Sequence, residues 1–269
     1  YALKKLIKIR NVDMMQITPS RLKLLFSENE EIFHQIKVLM VGGEPFPERF
    51  LQRLKQYEGM KVFNMYGPTE TTIWSTVKEL TGEEKVNIGG PILNTQLYIL
   101  DENGTPVQDG EVGELCIGGL AVARGYIGRE DLTKERFITE SEYVQNRYYK
   151  TGDLARKLET GELECLGRVD NQVKIRGYRV ELEEIEKCMM NSGLLKNCAV
   201  GIKEGKDGTA YLCALVIYQS NEDENGLINY SKASLTEYMV PTEIIKVDSL
   251  PMTQNEKLDR NKLKREYFN

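Results

Sequence analysis

Between residues 64 and 72 the chain reads Asn64-Met65-Tyr66-Gly67-Pro68-Thr69-Glu70-Thr71-Thr72. The segment follows a short apolar run, and Gly67 with Pro68 sets a tight turn. That turn brings a hydroxyl (Thr69) and a carboxylate (Glu70) to a strand end, where α/β sheets bind ligands. A hydroxyl donates to a phosphate oxygen, and a carboxylate holds the magnesium that accompanies a nucleotide. Taken alone, the segment supports only a turn with polar residues. Other chemistry is thinly provided. His34 is the only histidine, so a Ser-His-Asp or Cys-His site would depend wholly on it. It follows Phe33 in a segment that reads as helix, which makes it a surface or boundary residue. The five cysteines (Cys116, Cys165, Cys188, Cys198, Cys213) are scattered and contain no C-x-x-C. Buried, reduced thiols of a cytoplasmic protein explain them, and metal-thiolate and disulfide-scaffold classes drop out.

Four further segments join the first in order. They are Tyr149-Lys150-Thr151-Gly152-Asp153, Gly167-Arg168-Val169-Asp170, Lys174-Ile175-Arg176-Gly177-Tyr178-Arg179-Val180-Glu181 and Pro251-Met252-Thr253-Gln254-Asn255-Glu256-Lys257-Leu258-Asp259-Arg260. With residues 113–119 and Ala123-Arg124-Gly125-Tyr126, they resemble the core motifs of adenylation domains of nonribosomal peptide synthetases, members of the adenylate-forming superfamily. The resemblance covers essentially the whole chain.

It implies a set of roles. Tyr66 stacks on adenine and Asn64 hydrogen-bonds the base; Thr69 contacts the phosphates of ATP and Glu70 ligates Mg2+. Asp153 accepts both ribose hydroxyls, which suits the two oxygens of a carboxylate, and Arg168 adds a donor on the ribose or phosphate side. Asp170 falls at the family's hinge, and Lys257 matches the lysine that bridges the acid substrate and the α-phosphate. Lys174 and Gly177 lie on the face turned to the site for thioester formation with the phosphopantetheine of a carrier protein. Two positions depart from the pattern: Glu256 stands where the family has glycine, and Cys165 where relatives often carry tyrosine.

The same resemblance places six pocket-lining residues at Gln16, Met40, Gly42, Met65, Ile73 and Trp74. This set is similar to a glycine-type pattern with Met for Leu at two places, and Trp74 with two long methionines would fill the space of a substrate side chain. The expected substrate is glycine, with a small amino acid such as alanine left open because methionine is flexible. Two other readings stay open. One is an adenylate-forming ligase for a fatty or aryl acid with coenzyme A; the other is a non-catalytic module that keeps the fold to dock a carrier. The family's Gly/Ser/Thr-rich phosphate loop, normally well upstream of residues 66–70, is not in the sequence, nor is the upstream aspartate for the substrate amino group. The resemblance is therefore to the C-terminal portion of the domain, and the chain alone is expected to be inactive.

These residues need elements to hold them. Thr18-Pro19-Ser20 is a helix start, with Thr18 as N-cap and an i, i+3, i+4 stripe of Leu22, Leu25 and Phe26 behind it. Apolar runs at 12–17, 36–41 and 62–65, the last two separated by a helix that Pro47 could start, give a βαβ rhythm. From 81 to 166 turn signals become dense between strand-length runs such as 95–100 and 114–117, the texture of antiparallel hairpins or a small barrel. Beyond Asp170, a strand at 172–175, a helix at 180–190 and a hairpin of 198–202 with 211–218 read as α+β. The expected fold class is α/β plus α+β. A partial large lobe at 1–169 (mixed α/β layer 1–80, small β-barrel-like part 81–169) precedes a small α+β C-terminal domain at 170–269.

Composition narrows the partners. The 269 residues carry 36 basic and 41 acidic side chains, a formal charge of −5. A net-acidic chain lacks the footprint of a general nucleic-acid or anionic-membrane binder. Hydrophobic residues make up 41%, enough for a core but with no bilayer-length run; the longest uncharged apolar stretch, 210–218, is strand-sized.

Overall fold

Thr18 closes one element and opens the next. Its carbonyl accepts from Leu22 N at 2.9 Å and its hydroxyl from Arg21 N at 3.4 Å, while Pro19 takes the first helical position. The structure, a computed structural model, describes residues 2–28, 30–139, 142–144, 146–205, 209–219, 223–253 and 258–268. They divide into two units, Tyr1–Asp170 and Asn171–Asn269.

The first unit begins with α1 (Ala2–Arg10), β1 (Met14–Ile17), α2 (Pro19–Glu28), β2 (Val38–Gly42), α3 (Glu48–Leu54), β3 (Lys61–Tyr66), β4 (Thr76–Glu79) and β5 (Gly90–Pro91). The sheet order is β1-β2-β3-β4-β5, parallel through β3 and antiparallel beyond it. Pro47 caps α3 from outside rather than starting it. Leu39, Val41 and Val62 are buried with Leu22, Phe26, Leu51 and Leu54, so the helices cover that face. Each such apolar side chain contributes about 1.5–3 kcal/mol. Strand alternation sends Gln16, Met40, Gly42 and Met65 to the opposite face. Register aligns them in pairs, Gln16 with Met40 and Gly42 with Met65.

The rest of this unit is β6 (Thr95–Leu100), β7 (Val112–Gly119), α4 (Glu130–Arg136), β8 (Phe137–Ile138), β9 (Tyr148–Lys157) and β10 (Leu163–Arg168). Its antiparallel sheet runs β10-β9-β7-β6, with β8 on β9. Leu115 and Ile117 of β7 join one apolar cluster and Cys116 another, so the sheet is covered on both faces. A strand buried twice reads as a continuous apolar run rather than an alternating one. Tyr66 packs on the first of these clusters, which brings the end of β3 against this second sheet.

In the second unit β11 (Gln172–Ile175) and β12 (Tyr178–Glu181) form a hairpin, followed by α5 (Leu182–Met190), β13 (Leu195–Glu204), β14 (Ala210–Tyr218), α6 (Glu224–Ser234), β15 (Glu243–Lys246) and α7 (Arg260–Tyr267). The hairpin turn is Arg176-Gly177, with φ of 52° and 82°, a two-residue type I′ geometry that matches strand twist. Helix was expected from residue 180. Val180 and Glu181 instead pair with Val173 and Gln172, and the helix starts at Leu182. The sheet order is β13-β14-β15, antiparallel then parallel. On one side Ala214 and Val216 join Ile185, Met189 and Val200; on the other Cys213 and Leu215 join Ala199 and Leu263. Cys116, Cys198 and Cys213 are buried as expected, but Cys188 is half-buried and Cys165 exposed on the edge strand β10. Among the described residues no helix is long and apolar enough to cross a membrane.

Candidate active site

Past Tyr66 the backbone turns back on itself within nine residues. Thr69–Thr71 make one 3-10 turn, Thr72 and Ile73 take left-handed φ of 61° and 74°, and Ser75 N donates to Tyr66 O at 2.8 Å. Left-handed backbone at a β-branched residue is strained, and the loop holds it with several side-chain bonds. Thr72 Oγ1 donates to Ala121 O at 2.7 Å, and the Thr71 and Ser75 hydroxyls share a 2.6 Å bond. Thr69 is left exposed while Glu70 is buried.

Burying a carboxylate demands donors. The phenols of Tyr126 and Tyr149 donate to Glu70 Oε1 at 2.6 and 2.9 Å, and Ala123 N donates to the Glu70 carbonyl at 2.8 Å. Burial, followed by the bond to Glu70, pushes the Tyr126 phenol far above its ordinary value, so it stays a donor.

The second carboxylate lies on β9. Asp153 Oδ2 accepts from Tyr66 Oη at 2.5 Å and Oδ1 from Arg168 Nη1 at 2.8 Å. Arg168 then forks onto Asp170, Nε to Oδ1 at 2.6 Å and Nη2 to Oδ2 at 2.7 Å. One planar guanidinium thus spans two carboxylates. Space for it depends on Gly152: a β-carbon there would stand 2.6 Å from Arg168 Nη2, and the φ of +73° favours glycine as well. Burial, and next the charge of Asp153, raise the Tyr66 phenol well above 10. A carboxylate offers about four acceptor directions, so Asp153 retains capacity toward a diol.

The remaining positions divide. Asn64 is buried and donates to the Asn87 carbonyl at 2.7 Å. Gly42, Met65 and Trp74 meet: a β-carbon on Gly42 would lie 2.6 Å from the Trp74 ring and closer still to the Met65 carbonyl. Gln16 and Met40 neighbour them on the same sheet face. Ile73, 62% exposed, sits on the loop. Lys174 pairs in register with Arg179, and Gly177 occupies the hairpin turn. Asp170 is the last residue of the first unit. Lys257, with Glu256, lies outside the described residues. Just beyond it, Arg260 clasps the buried Glu186 with two bonds of 2.7 Å, and Val200 N donates to the same carboxylate.

Tyr126 and Tyr149 carry no role in the sequence reading although both lie inside motif segments. A phenol next to Gly125 or Lys150 gives no sign of its partner, which is 56 or 79 residues distant.

Residues 1–127 match the model of the AMP-binding enzyme family, and residues 184–257 match that of the AMP-binding enzyme C-terminal domain. The chain belongs to the AMP-binding enzyme family. Within that family it is a partial nonribosomal peptide synthetase adenylation domain. It is 43% identical over 267 residues to a dimodular nonribosomal peptide synthase of Bacillus subtilis (strain 168), covering 97% of this chain and 11% of that protein. To bacitracin synthase 3 of Bacillus licheniformis it is 40% identical over 254 residues, 94% of this chain and 4% of that protein. Among solved structures, holo-PA1221, a protein containing adenylation and PCP domains, superposes with a TM-score of 0.85 at 28% identity, over 98% of this chain and 46% of that one. The four-domain nonribosomal peptide synthetase AB3403, bound to AMP and glycine, aligns at 35% identity with a TM-score of 0.60, over 99% of this chain and 20% of that one. The chain thus spans a small fraction of the curated relatives it matches. The α/β plus α+β fold class agrees with these neighbours.

Proposed function

We propose that the protein carrying this chain activates an amino acid, glycine by its pocket residues, as the aminoacyl adenylate and passes it to a phosphopantetheinyl carrier. The observation that carries the reading is the meeting of Tyr66, Asp153 and Arg168 beside a buried Glu70 on the loop that leaves the same strand. Stacking surface, diol acceptor and cation-binding carboxylate are the groups a nucleotide requires.

In this reading the amino-acid carboxylate attacks the α-phosphorus of ATP. The bond from that phosphorus to the bridging oxygen breaks, and pyrophosphate leaves. No protein nucleophile is needed, so the work is positioning and charge neutralisation. Tyr66 offers its ring to adenine with its hydroxyl anchored on Asp153, and Thr69 donates to a phosphate oxygen. Lys257 contributes a positive charge between the acid and the α-phosphate. Mg2+ supplies countercharge to the phosphates when bound. The donor type suits that ion: the buried Glu70 carboxylate offers the hard oxygen ligand that Mg2+ takes. A single buried carboxylate fits an ion shared with phosphates and water rather than caged by protein. Lys174 and Gly177 would face the carrier's thiol after the second unit turns about Asp170. ATP dependence supports a cytoplasmic setting.

For substrate choice, Trp74 stacked over Gly42 beside Met65 favours the smallest side chain. The glycine-bound AB3403 structure supports this at 35% identity. Pyrophosphate exchange by the full-length protein with a panel of amino acids tests it: glycine should give the strongest exchange, and stronger exchange with a bulky amino acid overturns it. The 269 residues alone are expected not to exchange, since no Gly/Ser/Thr-rich phosphate loop is among them.

A further inference from the structure

Glu70 is held by more than burial. Two phenols from different elements, Tyr126 on the loop after β7 and Tyr149 on β9, converge on the same oxygen, Oε1. Their own oxygens are 3.4 Å apart. Both rings pack on Phe137, with centroids 5.3 and 5.0 Å away, and the Arg147 guanidinium covers that ring at 4.8 Å. The backbone is tied as well. Ala123 N binds the Glu70 carbonyl, Tyr126 N donates to Thr133 Oγ1 at 2.9 Å, and Arg147 donates to the carbonyls of Ala123 and Arg124. Neither phenol can swing without disturbing this packing.

We propose that Tyr126 and Tyr149 are positioning residues that fix the Glu70 carboxylate in the orientation in which it receives the nucleotide's divalent cation; this rests on the reading of Glu70 as the cation ligand. A carboxylate with one donor can rotate about its terminal torsion, whereas two donors arriving on one oxygen from different directions set its plane. They also draw charge toward Oε1. Groups that orient a ligating carboxylate typically alter metal affinity by about 10–100-fold when removed.

The test uses the full-length protein with Tyr126→Phe, Tyr149→Phe and Glu70→Gln. Binding of Mn2+–ATP is followed by water-proton relaxation enhancement over a protein-free Mn2+–ATP blank, beside the Mg2+ dependence of pyrophosphate exchange and thermal unfolding. Each Phe variant keeps its ring and is expected to weaken Mn2+ about tenfold or more. The half-saturating Mg2+ concentration should rise in parallel, and exchange should largely recover at high Mg2+. Unchanged Mn2+ affinity in both Phe variants, with only the melting temperature lowered, overturns the proposal. If Glu70→Gln leaves Mn2+ affinity unchanged, the ligand reading itself fails and the proposal with it. If Glu70→Gln weakens Mn2+ and the Phe variants do not, only the positioning role falls.

Discussion

Tyr66 and Asp153, 87 positions apart, meet through a 2.5 Å bond from phenol to carboxylate. The contact fastens the end of β3 to β9 and orients the Tyr66 ring. Hydrogen bonds to charged groups are worth about 1.5–3 kcal/mol net. Tyr66→Phe should keep a stacking surface but lower the denaturant midpoint by a corresponding amount. In the full-length protein it should also raise the KM for ATP with little change for the amino acid. Equal effects on both substrates would remove Tyr66 from the nucleotide side.

Gly152→Ala adds a β-carbon 2.6 Å from Arg168 Nη2 and 3.1 Å from Asp170 Oδ2. The fork between Arg168 and Asp170 must open, and a left-handed φ of +73° becomes strained. A loss of about 1–3 kcal/mol is expected by urea unfolding of the first unit. Wild-type stability would show that the fork shifts freely.

In the second unit, Glu186 accepts both nitrogens of Arg260 and the Val200 amide. Removing one partner strands the other charge in a largely buried place, at a cost of about 3–5 kcal/mol. Arg260→Met should therefore destabilise more than the paired change Glu186→Leu with Arg260→Met. Additive losses in that double-mutant cycle would mean the two side chains act separately.

The pH profile should fall at both ends. A hydrogen bond from Arg53 first, and then Tyr57, draw Glu30 down from 4.5 to about 2. The unfolded chain takes up that proton earlier, so the contribution is present above pH 4.5 and lost as pH falls toward 2. Burial, and then the bond to Glu30, push Tyr57 from 10 up to about 12. Its contribution is whole below pH 10 and fades as pH rises toward 12, because the unfolded phenol ionises first. Arg53→Met should flatten the acid limb and Tyr57→Phe the alkaline one, read as the unfolding midpoint against pH.

Local signals carried much of the fold. Thr18 and Pro19 mark a helix start within three residues, and 95–100 is a strand because its neighbours are turn formers. Where two local readings competed, long-range pairing decided: Val180 suits a helix, but Val173 claims it for the hairpin. The site divides in the same way. The turn bearing Thr69 and Glu70 is written in adjacent residues, and strand alternation already places Met40 and Gly42 on one face. The ties of Asn64 to Asn87, Arg168 to Asp153 and Glu70 to its two phenols join positions 15 to 79 residues apart. Chain topology brings those together, and no periodicity announces them.

The close approach of Gly42 to Trp74 constrains how this face can evolve. Enlarging residue 42 collides with the indole and, closer still, with the Met65 carbonyl, which belongs to the backbone and persists under every substitution of Met65. Trimming Trp74 meets no such obstacle. Mutational drift is therefore channelled: the tryptophan is the position free to vary, the glycine is frozen beneath it, and descendants of this sequence that diversify here should differ first at 74.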